Sequence, residues 1–164
     1  MGLQLPGELV SVLGWLGFSW PEADEERMFE LGQQWLRLAD EVDGPVTYAS
    51  NAATTLWQSS AGEAIDAFRA AWTAENSPAG NLENAGQGAR ILGLAMIVCA
   101  GIVLALKINV IVQLALLAFQ VAQAIATAVA TFGASLLEIP IFKIIAELII
   151  DQLIGMALEM ILNG

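Results

Sequence analysis

The chain carries one charged residue, Lys107, in the long stretch between Arg90 and Glu138. Before Lys107, residues 91–106 fall short of the roughly 20 apolar residues that cross a bilayer core. After it, residues 108–137 are numerous enough and uncharged, but a polar residue recurs every turn or two. The pattern favours a helix in a water-soluble bundle or oligomer, and membrane insertion is the less favoured alternative.

Polar residues beyond Lys107 follow helical spacing and therefore predict a narrow stripe on one helical face. This polar stripe consists of Asn109, Gln113, Gln120, Thr127 and Thr131. The opposite, apolar face consists of Leu114, Leu117, Val121, Ile125 and Ala128. In a soluble assembly the stripe would face water and the apolar face would contact protein. In a pore the stripe would line the passage and the apolar face would contact acyl chains.

Composition excludes several classes of function. The formal net charge of −11 argues against nucleic acid and anionic headgroups as partners, because both attract basic patches. The sequence has no histidine and one cysteine, Cys99, so common zinc sites and Ser-His or Cys-His nucleophile pairs lack members. The acidic residues Asp24, Glu25, Glu26 and Glu30 fit the positive end of a helix dipole better than a metal site. We therefore expect no enzymatic activity, no metal and no cofactor.

Two amphipathic segments predict an antiparallel helical hairpin. Apolar residues spaced alternately by three and four positions mark one face of each segment. This hairpin seam consists of Met28, Leu31, Trp35 and Leu38 in the first helix and Ile65, Phe68 and Trp72 in the second. Pro21 suits the start of the first helix, and Asp43-Gly44-Pro45 is expected to break or kink it.

The bend of the hairpin is expected at a turn motif formed by Trp57, Ser59, Ser60 and Glu63. Ser60 and Glu63 have the spacing of a capping box, in which the hydroxyl and the carboxylate each accept a hydrogen bond from a free backbone N–H. That box would start the second helix at residue 61. A cluster of Pro, Gly and Asn then predicts a boundary between a domain over residues 1–76 and another over residues 77–164.

The second half of the chain predicts a long helix over about residues 82–138, followed after Pro140 by a last helix over residues 141–162. Alternation of apolar and polar residues typical of strands is missing, so the predicted fold is all-α. The long helix would measure roughly 85 Å at 1.5 Å per residue, too long and thin to cover its own faces. We therefore expect an extended bundle that needs partners.

Small features of the sequence refine this prediction. Gly86, Gly88, Gly93 and Gly101 are expected to permit close helix contacts, because the strand and the Lys-Ser/Thr pair of a phosphate loop are missing. Lys143 and Glu147 have the spacing of an ion pair on the last helix. The opening MGLQLPGELVSVLGWLGF lacks a basic region and a small-residue cleavage site, so we expect a packed amphipathic segment rather than a cleavable signal peptide.

The hairpin seam, the Trp57-Gln58-Ser59 bend and the helix with Phe68 and Trp72 resemble the Trp-X-Gly (ESAT-6-like) hairpins of type VII secretion systems. More specifically, LPGELVSVLGWLGFSWPEADEE, the Trp57 turn, AFRAAW and the apolar region around Lys107 are similar to the N-terminal domain of actinobacterial CpnT-like channel-and-toxin proteins. In two places the chain departs from the family pattern. Ser59 stands where the motif has Gly, and Asn76 stands where the export signal after Trp72 would have an acid.

The resemblance implies a non-enzymatic delivery domain at the front of a secreted polymorphic toxin. It implies small helical hairpin partners or self-association, and a toxin cargo that follows in the full-length protein. It also implies a secreted or cell-envelope location reached through type VII secretion. A channel role in the outer envelope, suggested for related proteins, is the alternative that it leaves open.

Overall fold

The computed structural model describes residues 2–163, which form five α-helices, one 3-10 helix and no strand. The α-helices are α1 (Gly7–Trp15), α2 (Glu25–Ser59), α3 (Glu63–Trp72), α4 (Pro78–Thr127) and α5 (Ile139–Asn163), and the 3-10 helix is Ala134–Glu138. The predicted all-α fold, with a bend after Trp57, a long helix and a C-terminal helix, is confirmed.

The residues group into two compact units. The first, the split unit, combines the residues up to Arg27 with those from Cys99 onward, and the second, the central unit, is Met28–Val98. These bounds differ from the division into residues 1–76 and 77–164, which stays a prediction from composition.

Helix α2 begins and continues differently from the prediction. It starts at Glu25 rather than Pro21, because the Asp24 carboxylate accepts a hydrogen bond from the Arg27 N–H at 3.0 Å and caps the first turn. The predicted break at residues 43–45 is absent, since the helix continues through Pro45 to Ser59. A proline removes one helical hydrogen bond, and the packing of α2 outweighs that loss.

Helix α4 also begins and ends at other residues than predicted. It starts at Pro78, where the buried Ser77 hydroxyl accepts the Gly80 N–H at 3.1 Å, so a Ser-Pro pair forms the cap and first position. It ends at Thr127 rather than near residue 138. A turn with Gly133 in the left-handed region then leads through the 3-10 helix into α5.

The core of the split unit is formed by α1, α4 and α5. Its buried residues are Leu13, Leu16, Val110, Leu114, Leu117, Ala146 and Ile150. The expected packing of the N-terminal amphipathic segment is therefore confirmed. Leu114 and Leu117 of the long helix are buried in this core, which the N-terminal α1 helps to form.

In the central unit, α2 and α4 approach each other closely through small residues. A Cβ atom added to Gly32 would lie 2.8 Å from the Gly93 carbonyl oxygen, and one added to Gly93 would lie 2.8 Å from the Gly32 carbonyl oxygen. Arg90 bridges the same helices, with its Nη2 atom 3.0 Å from Asp40 Oδ1 and 2.7 Å from Asp43 Oδ2. The expected close helix contact is confirmed at Gly93.

Of the three other glycines of α4 expected to permit close helix contacts, one has a close neighbour and two do not. A Cβ atom on the buried Gly86 would lie 2.8 Å from Asp43 Oδ1, so a larger residue there would have to displace the Asp43 carboxylate. At Gly88 and Gly101 a Cβ atom would meet nothing within 4 Å, so the expectation of a close contact is wrong there.

Candidate functional site

The hairpin seam on α2 is only partly covered within the central unit. Met28 and Leu31 are half-buried, whereas Trp35 is 37% exposed and Leu38 43% exposed. The buried residues of α2, among them Gly32 and Ala39, lie one position further along and therefore about 100° around the helix. The small residues thus pack internally, and the large apolar ones are left on the neighbouring face.

An apolar groove continues this face toward the C-terminal end of α2. Val42 and Pro45 of α2, Trp72 at the end of α3 and Leu82 of α4 line a groove of about 410 Å³. Glu41 is the charged residue in the lining. Because Leu38, Val42 and Pro45 follow the same spacing of four and three, the exposed seam and the groove lie along the same face of α2.

The second-helix residues of the seam lie beside the Trp57 bend. The ring centroids of Trp57 and Phe68 are 6.0 Å apart, those of Phe68 and Trp72 are 5.6 Å apart, and both pairs are tilted. The Arg69 guanidinium lies 5.8 Å from the centre of the Trp57 ring, within cation–π range. Ile65 is half-buried like these three aromatics. The structure therefore joins Trp57, Phe68 and Trp72 in one aromatic cluster.

The predicted capping box at this bend does not form. Helix α3 begins at Glu63, its N-cap residue is Gly62, and no side-chain hydrogen bond caps it. Gly62 has a φ of 132°, a conformation that favours glycine, so the chain enters α3 through that residue instead of Ser60. The Ser59 hydroxyl donates to the Thr55 carbonyl oxygen at 2.8 Å and stays within the last turn of α2.

A buried ion pair in the split unit was not foreseen from the sequence. Lys107 Nζ lies 2.7 Å from Glu25 Oε2 and 2.6 Å from the Ala23 carbonyl oxygen, and the two ionised side chains are almost fully buried. The Leu3 N–H also donates to the Glu25 carboxylate. The signal was present, because a lone lysine in an apolar stretch requires a partner once it is buried.

The environment of Glu25 changes its acidity. Burial is the largest influence and raises the pKa of the carboxyl group, since it disfavours the charged form. Hydrogen bonds from Lys107 and the Leu3 N–H, together with the positive charge of Lys107, outweigh burial and hold the pKa of Glu25 below its ordinary value. The pair therefore holds the N-terminal segment and the start of α2 on α4 through an ionised carboxylate.

The polar stripe is exposed at Asn109, Gln120, Thr127 and Thr131 and half-buried at Gln113. Several of its side chains bond to their own helix: Asn109 Nδ2 donates to the Ala105 carbonyl oxygen at 2.8 Å, and Thr127 Oγ1 to that of Gln123 at 2.9 Å. These groups are satisfied within the chain. The predicted roles of the stripe, facing water or lining a passage, stay predictions.

Much of the apolar surface of α4 and α5 is uncovered. On α4, Ile91 is 70% exposed and Phe119 68% exposed, and on α5 Leu148 is 65% exposed. Among residues 2–163, α4 is the helix long and apolar enough to cross a membrane by length and composition alone. No group of three or more His, Cys, Asp or Glu residues that could hold a metal ion occurs within that part of the chain.

The all-α fold and the partly uncovered seam define a class of helical proteins with an exposed apolar helix face. Comparison with protein families matches the WXG100-like domain to residues 5–148. The chain belongs to the WXG100-like family. Comparisons with curated proteins and with solved structures found no match.

Membership places the chain among the helical proteins related to type VII secretion, a system that carries proteins out of the cell. WXG100-like domains generally form helical hairpin pairs with partners. The predicted Trp-X-Gly (ESAT-6-like) superfamily is confirmed.

Proposed function

We propose that this chain is a delivery and interaction domain of a polymorphic toxin exported by type VII secretion, similar to the front part of the CpnT-like proteins. It associates through the hairpin seam with small helical hairpin partners or with a second copy. The toxin cargo follows it in the full-length protein, and the destination is the cell envelope or the exterior. The domain itself has no enzymatic activity, metal or cofactor.

The observation that carries this proposal is the uncovered apolar face of α2 in the central unit, where the exposed seam and the groove lie. Trp35 and Leu38 stay exposed although Gly32 and Ala39 beside them are buried. Aromatic and large apolar side chains at helical spacing are the anchors of helix-in-groove recognition. A second amphipathic helix with the same spacing would cover this surface.

A pore or envelope channel is the second candidate, and one observation favours it. Helix α4 is long and apolar enough to cross a membrane, and large apolar residues of this helix such as Val98 and Ile108 are exposed. The polar stripe gives this candidate less support, since the Asn109 and Thr127 side chains already bond to their own helix. Release of a trapped dye from liposomes by the unmodified chain, lost when the stripe is changed to leucine, would favour the channel.

Export is tested with a reporter enzyme fused after Gly164 and expressed in a bacterium with an active type VII system. We expect reporter activity in the medium, and none from a strain that lacks the secretion ATPase. The variant Trp35→Asp/Leu38→Asp should lower export. Tyr48→Asp, on the same helix and 78% exposed, should leave export unchanged. Equal reporter activity in the medium of both strains would contradict the proposed delivery role.

A further inference from the structure

The turn between α4 and α5 presents exposed apolar side chains in place of the polar residues usual at a helix–helix turn. We call residues 128–137 the apolar tip. Phe132 is 99% exposed, Val129 89% and Leu137 75%. Exposed apolar patches of this kind mark surfaces that another body covers.

The two hydroxyl side chains of the apolar tip, those of Thr131 and Ser135, are bonded within the chain. Ser135 Oγ donates to the Ala124 carbonyl oxygen at 2.7 Å, and Thr131 Oγ1 donates to that of Thr127 at 3.0 Å. The Gly133 N–H donates to the Ala128 carbonyl oxygen at 2.7 Å. These hydroxyl groups therefore need no partner from outside the chain, so hydrocarbon, which offers no hydrogen-bonding partner, can surround them.

The distribution of charge limits how deeply the tip can enter an apolar medium. No charged residue occurs between Lys107 and Glu138. Glu138 directly follows the tip and is exposed, and Lys143 and Glu147 follow on α5. Charged side chains are costly at the centre of a bilayer. On the α5 side, therefore, only the tip itself can enter the apolar medium.

The backbone holds the aromatic ring of Phe132 outward. Its φ of 51° lies in the left-handed region, which bulky residues rarely adopt. The residues on both sides are hydrogen-bonded within the turn, with the Thr131 N–H donating to the Thr127 carbonyl oxygen at 3.1 Å and the Gly133 N–H to that of Ala128 at 2.7 Å. Preorganised apolar groups lose little conformational freedom when they bind.

We propose that the apolar tip docks shallowly onto a lipid surface, with Phe132 and Val129 in the interfacial hydrocarbon. The lipids are zwitterionic, because a chain with a net charge of −11 is repelled by anionic headgroups. This inference goes beyond the proposed function: the tip belongs to the split unit, whereas the seam belongs to the central unit.

The test uses an environment-sensitive dye on the full chain in a Cys99→Ser background. The tip reporter is Ala134→Cys, and the matched control is Ala71→Cys on α3; both alanines are exposed. With phosphatidylcholine vesicles we expect a blue shift of the dye at position 134 and none at position 71. Phosphatidylglycerol vesicles should give a weaker shift.

Variants at the tip then separate lipid docking from binding to a protein partner. Phe132→Asp should weaken vesicle binding about tenfold or more, and Phe132→Leu should preserve it. Helix content by circular dichroism should not change in either variant. Phe132 is 99% exposed, so its replacement removes no packing within the split unit. Trp35→Asp/Leu38→Asp should bind vesicles normally, so failure of the seam and failure of the tip are distinguishable.

Three results would overturn the proposal. The first is no shift at position 134, or equal shifts at both positions. The second is a Phe132→Asp variant that binds vesicles normally but has a changed oligomeric mass, which would assign the tip to a protein partner. The third is release of a dye trapped inside the vesicles, which would indicate a pore instead of shallow docking.

Discussion

Lys107 and Glu25, 82 positions apart in sequence, form a buried ion pair with a distance of 2.7 Å between Nζ and Oε2. The Ala23 carbonyl oxygen accepts a second hydrogen bond from the same ammonium group. The Lys107 ammonium also lies 5.7 Å from the centre of the Trp20 ring. These contacts hold the segment before α2 on α4 within the split unit.

Removing one partner of the pair should destabilise the chain strongly. Lys107→Met leaves the Glu25 carboxylate buried without its cation, so we expect a loss of about 3–5 kcal/mol in the free energy of unfolding. The measurement is urea denaturation followed by circular dichroism. Lys143→Met is the control, because its 3.5 Å pair with Glu147 is partly exposed and should contribute at most about 1 kcal/mol. Equal losses in the two variants would contradict the buried pair.

Stability should also depend on pH through Glu25. Its pKa is lowered in the folded chain, so the stabilisation is fully present above the ordinary value of 4.5 and is lost as the pH falls through the folded pKa. We expect the free energy of unfolding to decrease below pH 4.5 more steeply in the unmodified chain than in Glu25→Gln. Parallel pH curves for the two proteins would show that the pair does not form.

The close contact of α2 and α4 predicts opposite effects at two glycines of one helix. Gly93→Ala places a methyl group against the Gly32 carbonyl oxygen, and we expect a loss of about 1–3 kcal/mol. Gly88→Ala meets nothing within 4 Å and should stabilise the helix by about 0.5–1 kcal/mol. Melting temperatures that move in the same direction for both variants would contradict the contact.

The Trp57 bend should depend on its aromatic cluster and not on a cap. Trp57→Ala removes a half-buried ring that contacts Phe68, and we expect a loss of about 1–3 kcal/mol. Ser60→Ala should change stability by less than about 0.5 kcal/mol, because no side chain caps α3. Thermal melting of both variants measures the difference. A loss of stability in Ser60→Ala as large as that in Trp57→Ala would indicate that Ser60 caps α3 after all.

The sequence predicted the helical class because apolar periodicity and missing strand patterns are local properties. It misplaced the first residues of α2 and α4 because Asp24 and Ser77, short polar residues just before the first turn, decide where those helices begin. It could not assign the internal face of α2, since large residues such as Trp35 give a stronger periodic signal than Gly32. Which face is buried depends on how closely another backbone approaches, and that is a tertiary property.

The sequence predicted those parts of the candidate site that depend on local spacing and missed those that depend on contacts between distant residues. Phe68 and Trp72 were recognised from spacing, and the structure joins them to Trp57. The Glu25–Lys107 pair was missed because 82 positions separate its members, although Lys107 in its uncharged surroundings was a usable signal. The apolar face was expected to contact protein, and α1 and α5 of the same chain bury its members Leu114 and Leu117, whereas Ile125 is 57% exposed. A charge at Leu117 would therefore test the core and not an assembly.

Light scattering after size-exclusion chromatography measures whether the seam on α2 binds another helix. The samples are the detergent-free chain alone and the chain mixed with purified hairpin proteins of type VII systems. We predict a mass above that of the monomer for the unmodified chain and for Tyr48→Asp, either alone or with a hairpin protein. Trp35→Asp/Leu38→Asp should have the monomer mass in every sample. A seam variant that assembles like the unmodified chain, or an unmodified chain that is monomeric in every mixture, would contradict the account.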